Sequence, residues 1–177
     1  GGLPEVLSSF AETEPMQRLT QVGMHCGCEY TACPLYSGKQ PYSRYLHSLG
    51  AAAIVWRFTK SEAQSLSALF HDIATPVFAH VVDFLNGDHL AQESTEAPTH
   101  DILANDAKLQ AGLRALGLQT QDVDDYHRYP IADNDSPRLS SDRLEYTLGN
   151  AYRVFGASLD EISAVYENLM ILESEHG

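Results

Sequence analysis

The chain has 177 residues and a mass of 19.5 kDa, enough for one domain with its own core and not for two. Eleven Lys and Arg against twenty-four Asp and Glu leave a net charge of −13, so the chain repels polyanions and is expected to bind neither nucleic acid nor an anionic membrane. Three cysteines cannot pair evenly and no apolar run approaches the ~18 residues of a membrane span, which together predict a soluble, cytoplasmic protein.

Residues 3–177 read as a single all-α domain. From Ser43, apolar residues at 46, 49, 53, 54 and 58 form a helical stripe. Thr59 to Glu62 has the spacing of a capping box, closing that helix and opening the next, which runs to Ile73. Pro76 suits the first turn of a third helix over 76–85, followed by a polar loop from Asn86 to Pro98. One amphipathic helix is expected from Asp101 to Leu116, a loop from His127 to Pro137, and helices at 141–155 and, after the capping box Ser158 to Glu161, at 159–173. Strand signals are poor, and only 28–36 reads as a short extended piece. About seven helices packed as a compact bundle are expected.

Chemistry concentrates in His and Asp residues on separate helical segments. His47 lies in the first long helix, His71 and Asp72 close the second, and Asp142 opens a later one. Two imidazoles and two carboxylates suit one divalent transition metal such as Mn, Fe, Co, Ni or Zn. Neighbours on a helix point about 100° apart, so His71 and Asp72 can meet one ion only where the helix is ending. The Ala-Thr-Pro that follows supplies such an end. His25, Cys26, Cys28 and Cys33 form a weaker cluster, because one thiol pair has a single spacer where structural zinc favours two.

The segments SRYLHSLG at 43–50, LFHDIATPVFAH at 69–80 and DRLEY at 142–146 resemble the HD-domain metal-dependent phosphohydrolases. The likeness is greatest to their deoxynucleoside triphosphate triphosphohydrolase branch, and MQRLTQVG at 16–23 resembles a further segment of it. Thr75 stands where that branch usually carries a histidine.

This resemblance implies an HD helical bundle whose metal is held by His47, His71, Asp72 and Asp142. The implied activity is hydrolysis of a phosphoester, the substrate being a small phosphorylated metabolite, foremost a nucleotide. Arg18 and Arg44 are the cations expected at phosphate oxygens, with Gln21 and Tyr146 also at the substrate. Asp72 is a candidate to take the proton of a water. His80 and Glu93, with Glu96 beside it, are candidate general acids. His100 and His127 could instead complete a dinuclear centre, as in HD phosphodiesterases and oxygenases, and a non-catalytic nucleotide sensor is the third reading. A homo-oligomer is compatible with all of these.

Overall fold

The computed structural model describes residues 4–37, 39, 41–78, 81–82 and 98–171. Among them are eight α-helices: α1 Glu5–Ala11, α2 Glu14–Arg18, α3 Arg44–Thr59, α4 Glu62–Phe70, α5 Thr99–Asn105, α6 Ala107–Ala115, α7 Ser141–Arg153 and α8 Leu159–Glu167. Short 3-10 turns occur at Leu19–Gln21, Cys28–Tyr30, Thr120–Asp122 and Tyr126–Arg128. The only β pairing among these residues is an isolated bridge between Gly23 and Ser43. The all-α expectation holds, and the extended piece expected at 28–36 is instead a 3-10 turn followed by bends and turns.

Local chemistry sets the helix ends. Ser43 caps α3 by accepting from the Leu46 amide, and Ser61 caps α4 by accepting from Gln64. The second cap falls two residues later than the capping box expected at Thr59. The Thr59 hydroxyl donates instead to the Val55 carbonyl and accepts from the Ser61 amide. Between the two helices Lys60 takes a left-handed conformation with φ of 54° and closes α3. The helix expected over 101–116 is interrupted at Asp106, whose extended backbone ends α5 while its carboxylate accepts from Lys108 and Leu109 to start α6. At Ser158 both halves of the expected capping box are present. Of the helix expected over 76–85, residues 79–80 and 83–85 lie outside the described residues; 77–78 form a turn and 81–82 are helical.

The core gathers Leu7 and Phe10 of α1, Leu66, Leu69 and Phe70 of α4, and Leu109 and Leu113 of α6, all at most 3% exposed. The Phe10 and Phe70 rings meet edge to face with centroids 5.9 Å apart. Helix α3 packs on α4 and α7. Its buried face is Arg44, His47, Ser48, Ala51, Ala52, Ile54 and Val55, so of the predicted apolar stripe Ile54 is fully buried, Leu49, Ala53 and Phe58 are half-buried and Leu46 is 39% exposed. Two alanines let the neighbouring helices approach closely, and the polar residues on this face point to where the chemistry lies. Among the described residues no helix is long and apolar enough to cross a membrane.

Candidate metal centre

Helix α3 carries Arg44 and, one turn on, His47. Helix α4 stops at Phe70, so His71 and Asp72 sit in the turn that follows, where their side chains can converge as the sequence required. Asp142 is the second residue of α7. The His47 and His71 Nε2 atoms lie 3.1 Å apart, and Asp142 Oδ1 is 2.9 Å from the first and 3.8 Å from the second. Asp72 Oδ2 stands 3.4 Å from His71 Nε2 and 3.8 Å from His47 Nε2.

These spacings suit ligands around one cation. Donors about 2.1 Å from an ion lie roughly 3.0 Å apart at right angles and roughly 3.4 Å apart in a tetrahedron. The tautomers agree with this. His71 Nδ1 donates to the Ala68 carbonyl at 2.7 Å, and His47 Nδ1 donates to Glu145 Oε2 at 2.5 Å, so each ring turns an Nε2 lone pair toward the other. Two such lone pairs at 3.1 Å, with carboxylate oxygens beside them, need a positive charge between them. His47, His71 and Asp142 each offer an atom within 4.8 Å of the others', and both histidines are buried.

In the metal-free protein a proton supplies that charge. Burial pushes His47 down, but hydrogen bonds donated to Asp142 and Glu145 and the fields of Asp72 and Glu145 outweigh it and raise the group from 6.5 to about 10. The folded value exceeds the unfolded one, so this stabilisation is fully present below about pH 6.5 and is lost as pH rises through about 10. A cation must expel that proton. Metal affinity should therefore rise roughly tenfold per pH unit between about pH 7 and 9, with about one proton released per ion. Calorimetric titration in buffers of different ionisation enthalpy reads the proton count, and binding independent of pH over that range would refute the assignment.

Asp72 is held by its surroundings. Arg44 Nη1 donates to both its oxygens at 2.9 and 3.0 Å, and the Thr75 hydroxyl donates to Oδ1 at 2.7 Å. Burial alone would raise the Asp72 carboxyl; the Arg44 guanidinium, the two imidazoles and Thr75 reverse this and hold it well below the usual range. An anion so stabilised is a weak base, which favours contact with a cation over the proton-taking role considered for it. Burial likewise works against ionised Asp142, and the hydrogen bond with His47 and the charges of both histidines hold its pKa down.

A cavity of about 260 Å³ opens beside this cluster, with Met24, Tyr126, Tyr146 and Asn150 among its lining residues. Tyr146 is thus at the cavity beside the cluster. Arg44 also lines the cavity, but its Nη1 is spent on Asp72. Arg18 is not at the cavity: its Nη2 donates to the Ile73 and Thr75 carbonyls, both at 2.9 Å, and braces the turn that carries His71 and Asp72. Gln21 is exposed and away from the cavity, its amide 3.4 Å from the Thr20 hydroxyl. His80 and Glu93, with Glu96, lie outside the described residues. His100 pairs with Asp124 at 2.5 Å and His127 with Asp133 at 2.7 Å, and neither joins the cluster among the described residues. The three cysteines are free thiols outside it.

Glu145 is one of the residues at this site to which sequence reasoning gave no role, as are Tyr42, Tyr126 and Asn150. It lies one turn after Asp142, and its Oε2 also accepts the Tyr42 hydroxyl. Burial and Glu145 push the Tyr42 phenol up, so it remains an O–H donor. The side chain fits there because Gly50 of α3 has no Cβ; one built at that position would lie 2.5 Å from Glu145 Cγ. Gly149 makes the same room for the Tyr42 hydroxyl, which would lie 2.4 Å from an added Cβ. A carboxylate behind a ligating imidazole fixes its orientation, and Glu145→Ala should weaken metal binding about 10–100-fold. Glu145→Gln, which can still accept from Nδ1, should lose less; equal affinity of Glu145→Ala and the parent protein would show that the contact does not orient His47.

No family model matches the sequence. The chain is 26% identical over 167 residues, 94% of its length, to the uncharacterized protein YdhJ of Bacillus subtilis, of which the match covers 49%. It is 24% identical over 173 residues to a protein of Cordyceps militaris named metal-dependent phosphohydrolase cns2, covering 96% of this chain and 47% of that one. The chain thus spans about half the length of the curated relatives it matches. The crystal structure of a hypothetical protein from Aquifex aeolicus shares the fold with a TM-score of 0.58 at 20% identity, over 88% of this chain and 44% of that one. One relative is thus named a metal-dependent phosphohydrolase, and in this chain His47, His71 and Asp142 form a cluster that could hold a metal ion.

Proposed function

We propose that this chain is a metal-dependent phosphohydrolase of the HD superfamily that hydrolyses a phosphoester of a nucleotide or related phosphorylated metabolite. The observation that carries the reading is the pair of Nε2 lone pairs 3.1 Å apart, closed by Asp142 Oδ1 at 2.9 Å. The name of the Cordyceps militaris relative supports the reaction class, and the motifs shared with the deoxynucleoside triphosphate branch support a nucleotide.

His47, His71, Asp142 and Asp72 would hold one divalent ion, which would supply Lewis acidity and water activation at neutral pH. Glu145 and the Ala68 carbonyl fix the two imidazoles so that Nε2 of each faces the centre. Arg44 and Thr75 keep Asp72 ionised and aimed there. Tyr126, Tyr146 and Asn150 meet the organic part of the substrate through ring faces and an amide. His80 and Glu93 stay candidates for protonating the leaving oxygen.

The test is release of inorganic phosphate from a panel of phosphorylated metabolites by the purified protein loaded in turn with Mn, Fe, Co, Ni and Zn, alongside elemental analysis. Metal-dependent turnover, abolished by chelation, with one ion per chain is expected. A metal-loaded protein that binds nucleotides and turns over nothing in the panel would make this domain a sensor. Two ions per chain would replace the mononuclear centre with a dinuclear one.

A further inference from the structure

We infer that the site takes a substrate with a single phosphate, a phosphomonoester, and discriminates against a triphosphate; this rests on the phosphohydrolase reading above and narrows its substrate class. The reason is the placement of positive charge. All eleven Lys and Arg fall within the described residues, because residues 1–3, 38, 40, 79–80, 83–97 and 172–177 contain neither type. Among the eleven, Arg44 alone lines the cavity, and its Nη1 is bound to both Asp72 oxygens. Arg18, Arg57, Arg143 and Arg153 donate to backbone carbonyls elsewhere.

Backbone amides do not make up the shortage at the helix end nearest the cluster. The first amides of α7 are already used: Ser141 donates to the Ile131 carbonyl at 2.8 Å, Asp142 to Ala132 at 3.4 Å and Arg143 to the Ser140 hydroxyl at 3.3 Å. That terminus therefore offers no anion cradle.

The balance of charge then sets the limit. Asp72 and Asp142 against Arg44 give the cavity lining a formal charge of −1, and Glu145 behind His47 adds a further negative charge. A divalent ion offsets these two. A phosphomonoester then brings about 1.5–2 negative charges, whereas a triphosphate brings roughly twice that with no Lys or Arg besides Arg44 among the cavity-lining residues to receive it. Sites that handle triphosphates surround them with Lys, Arg, metal ions and glycine-rich backbone. A cavity of about 260 Å³ also falls below the ~300–1,000 Å³ of typical small-molecule sites.

The experiment compares kcat/KM of the metal-loaded chain for one nucleoside 5′-monophosphate and the matching 5′-triphosphate, with metal in excess over both. A preference of at least tenfold for the monophosphate is expected. Equal or better use of the triphosphate overturns the inference and leaves the phosphohydrolase reading standing. A parallel calorimetric titration with inorganic phosphate and with tripolyphosphate decides the matter without turnover. If neither nucleotide is hydrolysed, the phosphohydrolase reading fails for this pair, yet phosphate binding as tightly as tripolyphosphate or tighter still supports the charge argument. Tripolyphosphate binding at least tenfold tighter overturns it.

Discussion

Asp142→Ala will leave the purified protein without stoichiometric metal and without metal-dependent phosphate release, while its far-UV helix signal stays close to that of the parent. Asp142 Oδ1 is the carboxylate oxygen nearest both imidazole nitrogens taken together. Without it, His47 and His71 share only Asp72, which already accepts three hydrogen bonds from Arg44 and Thr75. Loss of an outer partner of a metal ligand costs about 10–100-fold in affinity, and loss of the ligand itself should exceed that. The fold should survive, because α7 is capped by Ser140 and the Asp142 side chain is 25% exposed. Elemental analysis after dialysis and circular dichroism separate the two effects. Full metal occupancy in the variant would refute the ligand assignment.

Arg44→Met will destabilise the metal-free protein by about 3–5 kcal/mol, the cost of leaving one member of a buried ion pair without its partner. Arg44 and Asp72 are 6% and 5% exposed, so water does little to solvate the orphaned carboxylate. The pH dependence adds a second signature. In the parent protein the Asp72 carboxyl is held low, so its stabilising contribution is present above its ordinary value of 3.8 and is lost as pH falls through its depressed value. In the variant the charges of the two imidazoles and the Thr75 hydrogen bond are left to act against burial, and this contribution should shrink. Urea denaturation at neutral and acid pH measures both. A loss below about 1 kcal/mol, within the range of an exposed ion pair, would mean that Arg44 does not hold Asp72 in solution.

What was legible in the sequence follows from which signals are local. Ser158 was legible as a cap because a cap bonds to amides two or three residues away, whereas at the start of α4 Ser61 caps in place of the expected Thr59. The end of α4 was visible to within three residues, since Pro76 disfavours continued helix, but the helix expected to reach Ile73 stops at Phe70. The buried face of α3 was not. Hydrophobic periodicity selected Leu46, Leu49, Ala53, Ile54 and Phe58, of which the helix fully buries Ile54, while its first turns bury Arg44, His47 and Ser48 instead. A helix that carries the ligands turns its polar residues inward, which inverts the signal that periodicity measures. The break at Asp106 was missed for a related reason: an apolar pattern continued across it while its side chain preferred to cap.

The sequence by itself determined the helical class and the starts of α3, α4, α7 and α8, because residue type, capping and spacing act over one or two turns; α1 and α2 were not foreseen. It also singled out four His and Asp side chains, of which His47, His71 and Asp142 lie close enough to hold a metal ion. Only the tertiary structure decided that Arg44 belongs to Asp72, that Arg18 braces a turn, that Gln21 lies away from the cavity and that Glu145 stands behind His47. Those partners are 28, 55 and 98 residues apart for Arg44–Asp72, Arg18–Ile73 and His47–Glu145. A buried charge or imidazole bonds to whichever group the packed helices bring within about 3 Å, and that distance is set by the whole fold.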